Sequence, residues 1–155
     1  MNPENRFDLV DEGDRTALIC IDEPDTQSSI VRQVDAQQYK IHTGMFAEDV
    51  SLKLSAQHYD LLIVSDSFNG SDLDSNPVIS AVRRLPPRER RNTFVVVIGP
   101  DFATNNGMQA FQHSVDLVCA VSDVLAFGPV LRRAIDRHNS FYAAFKSCVA
   151  MASAI

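Results

Sequence analysis

Thr16-Ala-Leu-Ile-Cys-Ile-Asp-Glu-Pro24 is a short apolar run stopped by two acids and a proline. It shows little alternation of apolar and polar residues. A strand with one wet face alternates, whereas a strand buried on both faces of a parallel sheet does not. Three further runs read the same way: Leu61-Leu-Ile-Val64 before Ser65-Asp66, Phe94-Val-Val-Val-Ile98 before Gly99-Pro100, and Val115-Asp-Leu-Val-Cys-Ala-Val121. Tyr39-Lys-Ile-His-Thr43 does alternate, and it reads as a half-exposed edge strand ending at Gly44.

Helical patterns separate these runs. Residues 26–38 carry Ile30, Val31 and Val34, with Asp25 or Thr26 as the cap. Residues 46–57 place Phe46, Val50 and Leu54 four apart. Residues 76–85 carry Val78, Ile79 and Val82; Ser75 or Asn76 caps them, Pro77 suits the first turn, and Pro86-Pro87 ends them. A shorter helix over 105–114 contains Met108 and Phe111. A long final helix runs from 124 to about 151, with a break expected at Gly128-Pro129. Strand and helix thus alternate five times. Right-handed crossovers then place helices on both faces of a five-stranded parallel sheet, an α/β fold; we expect the doubly wound order 2-1-3-4-5, in which the loops after the first and third strands are neighbours. Such a sheet carries its site at the carboxyl ends of its strands.

Composition bounds the function. The chain has 155 residues and a formal net charge of −6, with 45% hydrophobic and 22% charged residues. These values suit one folded domain and exclude disorder as the main state. We expect a polar tail over residues 1–15 and a single domain with an extended last helix over 16–155, with no output domain. No apolar run reaches the roughly 20 residues of a membrane helix, and residues 1–14 are too polar and acidic for a signal peptide. Cys20, Cys119 and Cys148 lie far apart and form no disulfide framework or zinc motif, so the expected compartment is the cytoplasm. The acidic balance argues against a dedicated nucleic-acid binder. A local exception is Arg83, Arg84, Arg88, Arg90 and Arg91, either a solvated helix end or a patch for an anion or acidic partner.

The strand ends bring forward three acids, Asp22, Glu23 and Asp66. Clustered carboxylates are relieved by a hard cation such as Mg²⁺, beside which a carboxylate can accept a phosphoryl group. The alternative is that they cap the following helices or face solvent. At this point residues 16–138 resemble the receiver domain of bacterial response regulators, the CheY-like family. Ala17-Leu-Ile-Cys-Ile-Asp-Glu-Pro24 is similar to the family's first strand and its acidic ending, and the third strand resembles the one that ends in the phospho-accepting Asp.

The departures carry the functional reading. Against the family pattern, Ile21 stands at the first of two adjacent acids and Asp22 at the second. Counted from Asp60, Ser65 falls at the acceptor and Asp66 one residue later, and a one-residue shift turns a strand side chain to the other face. Gly99 stands at the family's switch Thr or Ser, and Ala120 at its Lys. The resemblance therefore implies a degenerate pseudo-receiver: a non-catalytic signalling module whose output does not depend on phosphorylation. It binds no cofactor beyond weak Mg²⁺ at Asp22 and Asp66. The alternative it leaves open is a stand-alone receiver, phosphorylated on Asp66 with Mg²⁺ held by Asp22 and Glu23. Family receivers use the face of the fourth helix, fifth strand and fifth helix for dimers and outputs. Here the resemblance puts Met108, Phe111, Val121, Val124, Phe127 and Leu131 on it. Phe141 and Phe145, with Tyr142 beside them, extend the last helix past a minimal receiver. They either lie back on the domain or dock a signalling partner or second copy, and we expect a homodimer. The lone Ser65 lacks a nucleophile-elbow setting, and no phosphate-binding loop motif is present.

Overall fold

The central strands leave no face for water. In the computed structural model, which describes residues 6–153, β1 (Thr16–Cys20) and β4 (Phe94–Gly99) are buried at every position. With β2 (Lys40–Thr43), β3 (Leu61–Ser65) and β5 (Leu117–Ala120) they form one parallel sheet in the order β2-β1-β3-β4-β5. Successive residues point to opposite faces, so the sheet feeds two cores. Ile19, Ile63, Val96 and Cys119 join one core with α1 (Pro24–Asp35) and α6 (Phe127–Ser153). Leu18, Leu62, Val97 and Val118 join the other with α2 (Ala47–Ala56), α3 (Pro77–Arg83) and α5 (Gly107–Gln112).

Local chemistry explains where the helices begin. α1 starts at Pro24 rather than at Thr26, and its cap is Glu23, not Asp25 or Thr26: the Glu23 carboxylate accepts from the backbone N–H of Asp25 and of Thr26. Pro24 in the first turn has its φ already set and lacks only an N–H that the helix does not use. Of the two expected caps for α3, Ser75 and Asn76, it is Asn76 that caps the helix. Its Oδ1 accepts from Val78 N and Ile79 N, while its Nδ2 donates to Ser65 O, 2.8 Å away, which ties α3 to the end of β3. Pro86-Pro87 ends α3 but also opens a short helix, α4 (Pro87–Arg91), that the pattern missed.

Two expectations are corrected. The last helix is unbroken at Gly128-Pro129, because both residues lie in the first turn of α6, where a proline costs no hydrogen bond. That turn is clamped from α1: Gly128 N donates to Gln33 Oε1, and Gln37 Nε2 donates to Gly128 O. The edge strand β2 is not half-exposed, since Ile41, His42 and Thr43 are all buried. Residues from the polar segment ahead of β1 cover its outer edge. Asp8 N donates to Ile41 O, Thr43 N donates to Arg6 O, and the Phe7 ring stacks on His42 with centroids 3.8 Å apart. Covering an edge in this way blocks pairing with other chains. Residues 1–5 and 154–155 of the expected tail and last helix lie outside the described residues.

A third correction concerns the proposed interface. Val124, Phe127 and Leu131 are core residues, packed with Ile30 and Val34 of α1. Phe127 is fully buried, whereas Phe141, on the same helix, is 68% exposed. Phe127→Ala should therefore cost about 3–5 kcal/mol of stability in urea unfolding. Phe141→Ala should change it by less than about 0.5 kcal/mol.

Candidate functional site

The carboxyl ends of the strands gather Asp22, Glu23, Ser65, Asp66 and Gly99, but each acid there already has a structural task or a hindered position. Glu23 is spent on the α1 cap, and the Thr26 side chain, followed by the backbone N–H groups of Thr26 and Asp25, holds its carboxyl below the usual range. Asp22 Oδ2 accepts from Asn69 N at 2.7 Å, which anchors the loop after β3 at a residue with left-handed φ of 57°. Among the described residues no group of three or more His, Cys, Asp or Glu side chains is arranged to hold a metal ion.

Asp66 occupies the space above Gly99. β3 ends at Ser65, and Asp66 N donates across to Ile98 O at 2.9 Å. A Cβ at position 99 would lie 2.6 Å from Asp66 Oδ2 and 3.0 Å from the Phe102 ring. A side chain at 99 would require the Asp66 carboxylate to swing aside, so with Gly99 the carboxylate can occupy that space. Partial burial pushes the Asp66 pKa up, nearby Asp101 pushes it further, and a hydrogen bond from the Ser67 backbone works against both. Ser65 Oγ lies 3.3 Å from Ser67 Oγ.

β5 ends at Ala120, which is buried. The chain has three lysines, Lys40, Lys53 and Lys146. Lys53 is spent at the end of β2, donating to Thr43 O and to Asp49 Oδ1. A hydroxyl that the sequence reading missed does reach β5. Thr104 Oγ1 accepts from Ala120 N and donates to Asp123 Oδ2, so it stitches the loop after β4 to the turn after β5. Asp101 and Thr104 both sit in the stretch after Gly99-Pro100, and an acid and a hydroxyl in that loop were the available signal.

Compared by sequence, the chain matches no family model and no curated protein. Compared by structure, it is similar to many response-regulator receivers. A signal receiver domain of an HD domain-containing protein from Pseudomonas fluorescens aligns over 87% of this chain and 97% of its own, with TM-score 0.59 and 13% identity. An orphan response regulator of H. pylori aligns over 80% and 98%, with TM-score 0.58 and 17% identity. A CheY-like receiver domain from Methylobacillus flagellatus aligns over 79% and 99%, with TM-score 0.59 and 16% identity.

The chain has the receiver fold.

Within that fold, the fourth receiver helix corresponds to α5, because the short α4 precedes it. On the α5-β5-α6 side, Met108, Phe111 and Val121 are exposed, as is Leu125, which the sequence reading did not single out. Phe141 and Phe145 are exposed farther along α6. No helix among the described residues is long and apolar enough to cross a membrane.

The raised pKa of Asp66 has a stability consequence. Burial favours its neutral form, so its contribution to stability is present at low pH and is lost as pH rises through the raised folded value. Asp66→Asn should therefore stabilise the domain at neutral pH. In urea unfolding that gain should shrink toward zero below about pH 4, where the parent carboxyl is itself protonated.

Proposed function

We propose that this chain is a non-catalytic signalling module of receiver fold whose output rests on protein contacts and not on phosphorylation. The observation that carries this reading is the Asp66 carboxylate seated over Gly99. A receiver switch needs a two-state element biased by phosphate. Here the carboxylate fills the place of a switch side chain, and β5 ends in Ala120 and not in a lysine. A phosphoryl group on Asp66 would enter beside Asp101, with neither a hydroxyl at 99 to receive it nor a lysine at 120 to offset its charge.

The contact face in this reading is α5-β5-α6, with Met108, Phe111 and Val121 as its apolar part and Phe141 beyond it. These side chains are exposed, and an apolar set of this kind is covered by a protein partner or a second copy. The reading includes a homodimer and a signalling partner, and it requires neither Mg²⁺ nor nucleic acid. The relatives of this fold are response regulators, which supports a place in signal transduction.

Intact-protein mass after incubation with acetyl phosphate and Mg²⁺ tests the first half. The expected result is no gain. A phosphoryl-sized gain that Asp66→Asn abolishes would overturn the reading and make the chain a working receiver. Sedimentation tests the second half. Self-association of the parent should weaken in Phe111→Asp and Phe141→Asp; a chain that stays monomeric at high concentration would remove the homodimer.

A further inference from the structure

A cavity of about 390 Å³ opens at the amino ends of the strands, on the opposite side of the sheet from Asp66. Arg15 precedes β1, Tyr39 precedes β2, Asp60 precedes β3 and Phe94 begins β4, and all four line it. α6 supplies the facing wall. Its lining residues Ile135, His138, Tyr142 and Phe145 are spaced by three, four and three, which is one helix face. α4 supplies Arg88 and Arg91.

Two features of this cavity are independent of one another. The first is charge. Arg15, Arg88, Arg91 and Lys146 line it against a single acid, Asp60, in a chain whose net charge is −6. Asp60 is already occupied: its Oδ2 accepts from Thr16 N at 2.9 Å, and its Oδ1 lies 3.4 Å from His58 Nε2. Among the described residues, Arg88, Arg91 and Lys146 take part in no ion pair. Like charges facing one concavity repel, and an anion there relieves them. The second feature is a wall of rings. Phe94 meets His138 edge-on at 5.2 Å, His138 meets Tyr142 at 4.6 Å, and Tyr142 meets Phe145 at 6.4 Å. Across the cavity the Arg15 guanidinium lies over the Tyr39 ring at 4.5 Å. Ring faces and guanidinium planes stack planar heterocycles, and arginines grip phosphate oxygens in pairs.

We propose that this cavity binds a nucleotide, with its base against the α6 rings and its phosphates on Arg88, Arg91 and Lys146. The volume falls in the range of small-molecule sites, about 300–1,000 Å³. This proposal is independent of the reading of Asp66, since it uses none of the residues at the carboxyl ends. It also gives the extended part of α6 a task, because Tyr142, Phe145 and Lys146 belong to that extension.

Calorimetric titration of the full chain with ATP, GTP, CTP and UTP, in EDTA at low salt, tests it. At least one nucleotide should bind, and binding should weaken as salt rises. Tripolyphosphate, which keeps the charge and lacks the ring, should bind at least about tenfold more weakly. The double variant Arg88→Ala/Arg91→Ala and the single variant Tyr142→Ala should each lose about tenfold or more, with circular dichroism unchanged. Arg83→Ala, a basic residue outside the cavity, should bind as the parent does. Four results would each overturn the proposal: no binding of any nucleotide, tripolyphosphate binding equally well, Arg83→Ala weakening binding as much as the α4 variants, or a single-stranded oligonucleotide binding more tightly than every mononucleotide.

Discussion

The constraint on which the structure depends is that both faces of the sheet must be kept dry. β1 and β4 are buried at every position, and their neighbours expose little. Burying an aliphatic side chain is worth about 1.5–3 kcal/mol, so strands made of such residues demand a cover on each side. The chain meets the demand with α1 and α6 on one face and α2, α3 and α5 on the other. Phe127 shows how strict it is. It opens α6, and it goes into the core because the sheet face beside α1 must be filled there. The glutamines of α1, Gln33 and Gln37, then fix where α6 begins by bonding to Gly128.

With both faces closed, chemistry is left to the two ends of the sheet, and they differ in character. The carboxyl end is acidic: Asp22, Glu23, Asp66 and Asp101 surround it, with no lysine at β5. Two of those acids are consumed by backbone donors, which turns potential ligands into loop anchors. The amino end is cationic and aromatic, with Arg15, Arg88, Arg91 and Lys146 around Tyr39, Tyr142 and Phe145. An anion is repelled from the first end and attracted to the second. The receiver fold places its chemistry at the first; in this chain the second is better provided with donors for an anion.

Gly99 shapes the acidic end. Glycine there costs conformational freedom, but it leaves the space in which the Asp66 carboxylate sits. Gly44 plays a purely structural part of the same kind. A Cβ there would lie 2.5 Å from Val50, so its absence lets α2 close onto β1 and β2. One glycine admits a helix and the other a carboxylate, and only the second bears on whether phosphate could be sensed.

The sequence by itself determined the alternation of strands and helices apart from the short α4, because near-continuous apolar runs set between helical patterns suit strands buried on both faces of a parallel sheet. It also narrowed the α3 cap to Ser75 or Asn76, because a cap depends on neighbours in the chain, and the structure selects Asn76. Tertiary structure alone decided what depends on distant segments meeting. The polar residues 6–8 cover β2 because that edge offers them unpaired backbone groups. Val124, Phe127 and Leu131 entered the core because α1 packs over them, although their helical spacing is equally that of a docking face. Phe141 and Phe145 share a spacing in sequence, yet only Phe145 lines the basic cavity. That cavity is assembled from single residues just ahead of three strands, the short α4 and one face of α6. No local pattern marks such a set, since its members are neighbours only after the sheet has brought the amino ends of its strands side by side.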